Sequence, residues 1–378
     1  MQIAVVANTS WYLYNFRLNL MHALKAIGHG VVAVGPSDEY VKPIMKAGFQ
    51  HEMVPFSGDG INPLRELGVV LLLKRKLSKT NSKIVLSFTP KGNIYSGLAG
   101  MTLNVKTIPN VSGLGRVFIR HSLLTSIVKS LYKLILRKSY MVFFQNEDDL
   151  RMFVREGLVE EFKAKRIPGS GVDLDRFQYP FGNNNGDREP VNFLLAGRLL
   201  WDKGVGEFVE AARMLKTKYP SMKSCLLGFL DVENPSALSR SQIERWQSEG
   251  VVEYIGATDD VRPYFADADC IVLPSYREGT PRTMLEAASM SRPIITTDTA
   301  GCRDTVEDGK TGFLCKPKDA SDLANKMERM LNLSPEQRAA MGRAGRKKME
   351  KEFDERIVID RYLQAIEEIA SNQPKMSF

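Results

Sequence analysis

The chain has 378 residues, about two and a half times the length of a typical single domain, which predicts two domains. Its composition, with 43% apolar and 25% charged residues, is ordinary for a folded globular protein and excludes wholesale disorder. The net charge of +8 is compatible with an anionic partner, and apolar runs such as residues 68–73 are far too short for a membrane-spanning helix.

The first half of the chain alternates strand patterns with helical ones. A helix is predicted over residues 16–27, and strands are predicted at residues 3–7, 31–35, 83–88, 107–111 and 141–145. These strands are apolar on both faces, which is typical of a parallel sheet covered on both sides. The N-terminal run has no basic segment before it, so it is interpreted as the first strand and not as a signal peptide.

A break in this pattern at residues 167–190 is the predicted linker, because the segment is rich in Gly and Asn and has no periodicity. After it a helix is predicted over residues 204–218, with strands at residues 191–197, 224–229, 251–256, 270–275 and 293–298. A final amphipathic helix, from residue 353 to 370, is predicted to cross back onto the first domain. The fold class is therefore α/β, with two doubly wound Rossmann-like domains, 1–168 (plus 353–378) and 169–352.

The metal-binding and redox residue types show no site pattern. Four cysteines lie far apart with no Cys-x-x-Cys pair: Cys225, Cys270, Cys302 and Cys315. This argues against a disulfide framework or a zinc site and suits a reducing cytoplasm. The Asp267-x-Asp269 pair precedes a strand at its amino end, which favours a capping role over a metal site. We therefore expect a cytoplasmic protein with no metal and no cofactor.

The basic charge lies in the first half of the chain. Residues 1–168 contain 23 Lys and Arg against 11 Asp and Glu, whereas the remainder contains 29 against 33. Residues 67–146 contain 13 basic residues and no acid. One half of the protein is therefore expected to face a membrane surface, a phosphate-bearing lipid or a nucleic acid. Nucleic acid is disfavoured, because no recognised nucleic-acid fold or aromatic-plus-basic platform occurs.

Ligands of open parallel sheets bind at the carboxyl ends of the strands, so the loops that follow the strands are the candidate sites. The loop after strand 191–197 reads AGRLLWDKGVGEF and places Arg198 and Lys203 just before a predicted helix. Its glycines, Gly197 and Gly204, allow close backbone approach. Two cations beside a helix N-terminus predict a diphosphate site.

The loop after strand 270–275 carries a second pattern. Glu278 and Glu286 form a Glu-x7-Glu pair, the first in the loop and the second on a helix that begins near Arg282. Carboxylate acceptors beside exposed backbone N–H groups suit uncharged polyol hydroxyls. The two loops together predict a sugar next to a diphosphate.

These motifs, with IPGSGVDLDRF in the linker and DGKTGFL at residues 308–314, resemble family 4 glycosyltransferases of the GT-B fold over nearly the whole chain. The segments GLVE, WDKGVGEF, DVENPS and SYREGTP are also similar to bacterial enzymes that add N-acetylgalactosamine or a related sugar to undecaprenyl-diphosphate-linked saccharides. The resemblance implies a retaining, metal-independent transfer of a hexose or N-acetylhexosamine from a UDP-sugar to a polyprenyl-diphosphate-linked saccharide. It also implies that no covalent nucleophile is needed: the acceptor attacks on the same face, and a donor phosphate oxygen takes its proton.

The resemblance also implies site residues. Arg198, Lys203 and Glu278 would be catalytic, the two cations neutralising the diphosphate and the carboxylate holding the sugar hydroxyls. Glu286 would accept hydrogen bonds from the ribose hydroxyls. The other donor-binding residues that it implies are Gly197, Gly228, Gly279, Thr280, Pro281 and Arg282.

The first domain departs from the usual family pattern at two places. Residues 8–17 are rich in aromatics where many members have a Gly-rich loop, and Ser112 stands near the position of a common His. No catalytic His is therefore carried over, and His121 is interpreted as a capping or surface residue. The residues predicted to line the acceptor side of the cleft are Asn8, Ser10, Arg17, Ser112, Gly113 and Gly115.

Residues 119–138 are predicted to form an amphipathic helix, whose basic residues Lys129, Lys133 and Arg137 recur every four positions. Its other face is predicted to be a broad apolar surface of Leu123, Leu124, Ile127, Val128, Leu131, Leu134 and Ile135. Either this helix packs on the core with a solvated basic face, or it lies on anionic lipid. The second interpretation predicts peripheral association with the inner face of the cytoplasmic membrane.

Two other functions are compatible with the same donor site. A GT-B-fold epimerase acting on a nucleotide sugar would leave the basic half unexplained. A non-catalytic peripheral membrane protein that only binds nucleotide sugars would not need Glu278, Arg198 and Lys203 together in one site. Release of UDP with and without a lipid-linked acceptor separates the three functions.

Overall fold

The computed structural model describes the chain at residues 1–56, 62–113, 123–178, 191–230, 232 and 234–371. It divides into two compact units. The first consists of Met1–Ser170 together with the last helix from Arg356 onwards, and the second is Gly171–Glu355. The predictions for Gly115, His121, the side chains of Leu123 and Leu124 and the second half of the predicted linker, residues 179–190, lie outside the described residues.

A sheet of seven parallel strands forms the centre of the first unit: β1 (Gln2–Val6), β2 (Gly30–Gly35), β3 (Gln50–Met53), β4 (Ile84–Phe88), β5 (Lys106–Val111), β6 (Val142–Phe144) and β7 (Ala164–Arg166). Their order across the sheet is β3-β2-β1-β4-β5-β6-β7. Successive side chains of β1 enter different cores, with Ile3 and Val5 on one face and Ala4 and Val6 on the other. This alternation explains why the strand is apolar throughout.

Helices cover both faces of this sheet: α1 (Ser10–Ala26), α2 (Val41–Lys46), α3 (Pro63–Lys79), α4 (Pro90–Leu103), α5 (Leu123–Lys138) and α6 (Glu147–Arg155). Helices α1 and α2 pack on one face and α3 to α6 on the other. Helix α1 begins at Ser10, six residues before the predicted start at Phe16, because the Thr9 hydroxyl accepts from the N–H of Tyr12 and caps the helix there.

The second unit contains a six-stranded parallel sheet in its described residues: β8 (Asn192–Ala196), β9 (Lys223–Leu227), β10 (Glu253–Tyr254), β11 (Cys270–Leu273), β12 (Ile294–Thr297) and β13 (Gly312–Cys315). The order across it is β10-β9-β8-β11-β12-β13. The helices are α7 (Val205–Lys216), α8 (Arg240–Ser248), α9 (Arg262–Asp267), α10 (Arg282–Ser289), α11 (Ala320–Leu331) and α12 (Pro335–Glu352). The prediction of two doubly wound parallel-sheet domains is confirmed.

The last helix, α13 (Glu355–Ser371), packs into the first unit. Its apolar face places Val358, Tyr362 and Ile366 in the core beside α1. The buried Tyr362 hydroxyl accepts a hydrogen bond of 2.8 Å from Asn110 Nδ2 at the end of β5. This helix is therefore part of the first unit's core although it is the last element of the chain.

The strands that the sequence pattern missed lie at sheet edges. The strands β3, β7 and β13 each have only one neighbour, and β3 and β7 are short and largely polar. The strands β3 and β7 lack an apolar pattern because they are buried incompletely, whereas β13 is apolar and largely buried. All four cysteines are buried and free, in agreement with the prediction of no disulfide. Among the described helices, none is long and apolar enough to span a bilayer.

Candidate functional site

The loops after β8 and β11 meet at the carboxyl edge of the second sheet. The N–H of Tyr276 donates to the carbonyl of Asp202 at 3.0 Å. Gly204 has φ +74°, and a Cβ at this position would lie 2.1 Å from the carbonyl oxygen of Pro274. Only glycine combines this backbone conformation with so close an approach. The sequence therefore brings together the two loops that carry the predicted diphosphate and sugar residues.

An ion pair between Lys203 Nζ and Glu278 Oε1 joins these loops. Both side chains are largely buried, with 19% and 13% of their surface exposed. Ser275 Oγ lies 2.7 Å from the same carboxylate oxygen and 3.2 Å from the carbonyl oxygen of Asp202. Ser275 is fully buried and was missed by the sequence analysis, whose only signal for it was its position at the end of the predicted strand.

Arg198 lies in the same loop as Lys203 and is exposed. Within the described part of the chain, its guanidinium has no hydrogen-bonding or ion-pair partner. The loop leads into α7, whose N-cap is Gly204 and whose first turn has no side-chain cap. The exposed guanidinium and the uncapped helix N-terminus in one loop are suited to a diphosphate, and the ammonium of Lys203 lies beside them in its ion pair with Glu278.

Glu286 lies on α10, which begins at Arg282 without a side-chain cap. Arg282 Nε donates to Glu286 Oε1 at 2.7 Å, and the side chains are 13% and 14% exposed. Burial raises the pKa of Glu286 above its ordinary value of 4.5, although the guanidinium of Arg282 opposes that shift. Within the residues that the structure describes, Oε2 of Glu286 has no hydrogen-bonding partner.

Close backbone contacts hold the neighbouring loops around this site. A Cβ on Gly228, after β9, would lie 1.8 Å from the carbonyl oxygen of Gly197. Gly301, after β12, has φ +76°, and a Cβ there would lie 2.1 Å from the carbonyl oxygen of Gly279. Thr280 is half-buried between the buried Gly279 and Pro281. All the predicted donor-binding residues therefore follow strands at one edge of the second sheet.

Within the described residues, no group of three or more His, Cys, Asp or Glu side chains could hold a metal ion. The Asp269 carboxylate accepts from the N–H of Asn192 at 2.8 Å, at the amino end of β8. Asp267 is the last residue of α9. The Asp-x-Asp pattern therefore belongs to the edge of the sheet opposite the candidate site.

In the first unit, Ser10 and Arg17 do not line an open surface as predicted, since they are 0% and 1% exposed. Ser10 Oγ donates to the carbonyl of Pro36 at 2.7 Å. The Arg17 guanidinium stacks 4.1 Å from the ring centroid of Phe88, and its Nη2 donates to the Tyr12 hydroxyl at 2.8 Å. The prediction that these two side chains contact an acceptor is corrected, because helix α1 turns both of them into the core.

The other described acceptor-side residues lie in loops at the carboxyl edge of the first sheet. Asn8 follows β1 and is half-buried. Ser112 and Gly113 follow β5, are also half-buried, and Gly113 has φ +124°. These residues are partly exposed, in contrast to Ser10 and Arg17.

The predicted apolar face of α5 is divided in the structure. Tyr132, Ile135 and Leu136 pack into the core, whereas Ile127 and Leu134 are 50% and 45% exposed. The prediction of a single apolar face is wrong at these two positions, because the side of the helix that packs on the core is centred on Tyr132 and Leu136. The helix therefore presents apolar side chains on its outer surface together with basic ones.

The three basic residues predicted to contact a membrane differ in their surroundings. Lys129 forms an ion pair with Glu156 at 2.6 Å, and both side chains are 30% exposed. Lys133 and Arg137 are exposed, and their side chains have no ion-pair partner in the described part of the chain. Only the latter two offer an uncompensated charge to an anion.

Comparison with known proteins identifies relatives of the whole chain and of its second half. Residues 178–348 match the model of the family described as "Glycosyl transferases group 1". The N,N'-diacetylbacillosaminyl-diphospho-undecaprenol alpha-1,3-N-acetylgalactosaminyltransferase of Campylobacter jejuni is 30% identical, over 98% of this chain and 100% of its own length. The capsular polysaccharide biosynthesis glycosyltransferase CapM of Staphylococcus aureus is 29% identical over 50% of each chain.

Solved structures match the fold along nearly the full length. The sucrose-phosphate synthase of Thermosynechococcus elongatus aligns with a TM-score of 0.78 at 19% identity, covering 98% of this chain and 99% of that one. Anabaena Alr3699/HepE, solved in complex with UDP-glucose, aligns with a TM-score of 0.78 at 16% identity, covering 98% and 100%. These similarities confirm the predicted GT-B fold.

Proposed function

Because the chain belongs to the group 1 glycosyl transferases, we propose that it transfers a sugar from a UDP-sugar to an undecaprenyl-diphosphate-linked saccharide during surface-glycan or glycoprotein-glycan assembly. The sugar is an N-acetylhexosamine or a hexose. Two findings support this specificity: the name of the Campylobacter relative describes transfer of N-acetylgalactosamine to such an acceptor, and the two chains align over 98% of this one.

The observation that carries the proposal is the cationic loop after β8 beside the carboxylate of Glu278. Arg198 is exposed, and Lys203 is held by Glu278 at the uncapped end of α7. As the bond between the sugar and the diphosphate breaks, negative charge grows on the departing UDP. A cation held in a partly buried position, as Lys203 is by Glu278, stabilises that charge more strongly than water does. The loop therefore favours the transition state over the bound donor.

The transfer is proposed to retain the anomeric configuration. The acceptor hydroxyl attacks the anomeric carbon on the face that the diphosphate leaves. The bond from that carbon to the phosphate oxygen breaks, the bond to the acceptor oxygen forms, and the acceptor proton passes to the departing phosphate oxygen. No enzyme nucleophile takes part. The two cations supply the positive charge at the diphosphate, so we propose that no metal ion is required.

The carboxylates select the uncharged parts of the donor. Glu286 has one oxygen engaged by Arg282, and we assign its other oxygen to the ribose hydroxyls. Glu278, with the backbone of Gly279 and Thr280, is assigned to the sugar hydroxyls. Its orientation is fixed by Lys203 and by the hydroxyl of Ser275, at 2.7 Å.

The acceptor is assigned to the first unit. The exposed Lys133 and Arg137 on α5 carry charge that matches anionic headgroups and the acceptor's phosphates. Asn8, Ser112 and Gly113 lie at the carboxyl edge of that unit's sheet, where its ligands are expected. We propose peripheral association with the cytoplasmic face of the membrane, where undecaprenyl-linked glycans are extended.

The test measures UDP release from several UDP-sugars, with and without an undecaprenyl-diphosphate-linked saccharide. The proposal predicts release that depends on the acceptor for one donor and persists in EDTA. An epimerase would release no UDP, so conversion of the UDP-sugar into its epimer without an acceptor, followed by NMR, would indicate that alternative. Donor binding without turnover in either condition would indicate a binding protein. Loss of release on chelation, with recovery on adding Mg²⁺ or Mn²⁺, would contradict metal independence.

A further inference from the structure

Helix α3 carries apolar side chains on two faces. Its inner face packs three side chains into the core of the first unit: Val69, Leu73 and Leu77. Its outer face exposes Leu64, Leu67 and Leu71, which are 82%, 55% and 56% exposed. These three side chains, called the leucine row below, are spaced three and four residues apart and so follow one stripe along two helical turns. Folding requires only the inner face, so the leucine row is unexplained by the core.

Charge around the leucine row has one sign. Three basic side chains of α3 have no ion-pair partner among the described residues: Arg65, Lys74 and Arg75. The helix has one acid, Glu66, which is engaged by Lys91 at 2.9 Å and by the hydroxyl of Tyr95. The outer surface of the helix is therefore apolar at its beginning and cationic at its end.

The leucine row and the outer surface of α5 lie on the same side of the first sheet. Helix α4 packs between α3 and α5, and all three helices contribute to one core cluster. The outer surface of α5 repeats the same composition, with Ile127 and Leu134 exposed beside Lys133 and Arg137. Two helices on one side of the sheet thus combine exposed aliphatic side chains with basic ones.

We propose that the leucine row inserts into the interfacial region of an anionic bilayer, while Arg65, Lys74 and Arg75 contact its headgroups. This inference rests on the proposed function, because it adds the apolar contact to the membrane partner for which only the charges of α5 were proposed above. Aliphatic side chains on one stripe of a helix with flanking Lys and Arg are the pattern of an interfacial helix. Headgroup attraction brings the surface to the bilayer, and the leucines hold it there when salt screens the charges.

The charges favour a bilayer over a second copy of this chain as the occupant. In a symmetric dimer through this surface, the basic residues of α3 in one copy would approach those of the other. Such like-charge contacts oppose association. An anionic lipid surface instead pairs with all of them. Dimerisation through the leucine row is retained as an outcome that the experiment below can detect.

The test replaces the leucine row with Leu64→Gln, Leu67→Gln and Leu71→Gln in the full chain. The matched control is Ile27→Gln with Met45→Gln, two apolar positions that are 47% and 59% exposed; Ile27 directly follows α1 and Met45 lies in α2, the helices that cover the other face of the sheet. Binding to phosphatidylglycerol-containing vesicles is measured by sedimentation across a salt series. We expect the row variant to lose about tenfold or more of the binding that persists at high salt, with the control at the wild-type level.

A second measurement reports insertion directly. The native cysteines are all buried, so Leu67→Cys provides one accessible thiol for an environment-sensitive fluorophore. Anionic vesicles should shift its emission to shorter wavelength, whereas the same label at Met45→Cys should not respond. Because this variant keeps Leu64 and Leu71, the result does not depend on the triple variant folding correctly.

The outcomes separate this inference from the proposed function. Wild-type vesicle binding by the row variant together with an unresponsive label at residue 67 would overturn the inference. A dimeric wild type that becomes monomeric in the row variant, with unchanged vesicle binding, would overturn it in favour of self-association. Transfer to a short, water-soluble prenyl-diphosphate acceptor should be equal in all variants. Its absence in the wild type would instead contradict the proposed function and leave vesicle binding measurable.

Discussion

Lys203 and Glu278 form an ion pair between two loops whose residues are 75 positions apart in the sequence. The pair holds an ammonium and a carboxylate at the edge of the second sheet before any donor binds. We propose that the donor's diphosphate competes with Glu278 for the ammonium, while the donor's hydroxyls bind the carboxylate. On this proposal, the residue assigned to the sugar orients the ammonium before the donor binds.

The two cations of the loop should differ in their effect on stability. Arg198→Ala and Lys203→Ala should each lower kcat/KM by about 10²–10³, because each removes a stabiliser of transition-state charge. Arg198 is exposed and unpaired within the described residues, so its loss should leave Tm unchanged. Lys203→Ala leaves Glu278 buried without its ammonium and should cost about 1–3 kcal/mol of unfolding free energy. Steady-state kinetics and thermal unfolding measure the two effects.

The control for these variants is Lys223→Ala, at the opposite, amino end of β9. It should retain wild-type kcat/KM. If either loop variant turned over at the wild-type rate, the diphosphate would have to bind elsewhere.

Ser275 is assigned a positioning role, since its hydroxyl joins Glu278 to the backbone of Asp202. Ser275→Ala should lower kcat/KM about tenfold, close to the 1.4 kcal/mol expected for one hydrogen bond to a charged group. The effect should appear mainly in kcat, because a misoriented carboxylate still binds the donor. Ser275→Thr keeps the hydroxyl and should recover activity. Equal losses in both variants would indicate a packing role.

Glu286 should make KM for the donor depend on pH in the acidic range. Its pKa is raised by burial, so it takes up a proton at a pH higher than an ordinary glutamate does. The protonated carboxyl accepts hydrogen bonds from ribose less well, and KM for the donor should rise as pH falls through this pKa. Glu286→Gln should show a raised KM that no longer changes over the same pH range. If KM for the donor still rose at low pH in this variant as it does in the wild type, another group would be responsible for the pH dependence.

Membrane attraction through α5 should depend on Lys133 and Arg137. Replacing both by Glu should weaken binding to anionic vesicles, most strongly at low salt where screening is weakest. UDP-sugar affinity should be unchanged, because the donor site belongs to the second unit. Lys129→Glu is left out of this variant, since it would place two acids together at Glu156 and disturb the fold. Wild-type sedimentation of the double variant would exclude an electrostatic role for this face.

The sequence predicted that the loops after β8 and β11 lie at one edge of the second sheet, because the carboxyl ends of parallel strands meet at the same edge; donor binding by these loops stays a prediction. Arg198, Lys203, Glu278 and Glu286 were identified from that rule and from family resemblance. Their pairing was not, because nothing in the spacing of Lys203 and Glu278 shows which loops touch. The role of Ser275 likewise depends on a tertiary contact with a distant carbonyl group.

The wrong predictions for the first unit concern where a helix begins and which of its sides faces the core. The predicted start of α1 at Phe16 left Ser10 in a loop, where a polar residue implies a ligand contact. The Thr9 cap starts the helix earlier, so Ser10, Leu13 and Arg17 lie on one buried stripe. In α5, a broad run of aliphatic residues could not reveal which stripe packs inward, because apolar side chains occur on both.

The most direct test is the product formed from the preferred UDP-sugar and an undecaprenyl-diphosphate-linked saccharide. Mass spectrometry should show one added sugar on the lipid-linked acceptor, and NMR should show that its anomeric configuration equals that of the donor. The same reaction with Arg198→Ala should yield about 10²–10³-fold less product per unit time. A product of inverted configuration would contradict the same-face mechanism. Absence of any lipid-linked product, with the donor bound, would contradict the transfer itself.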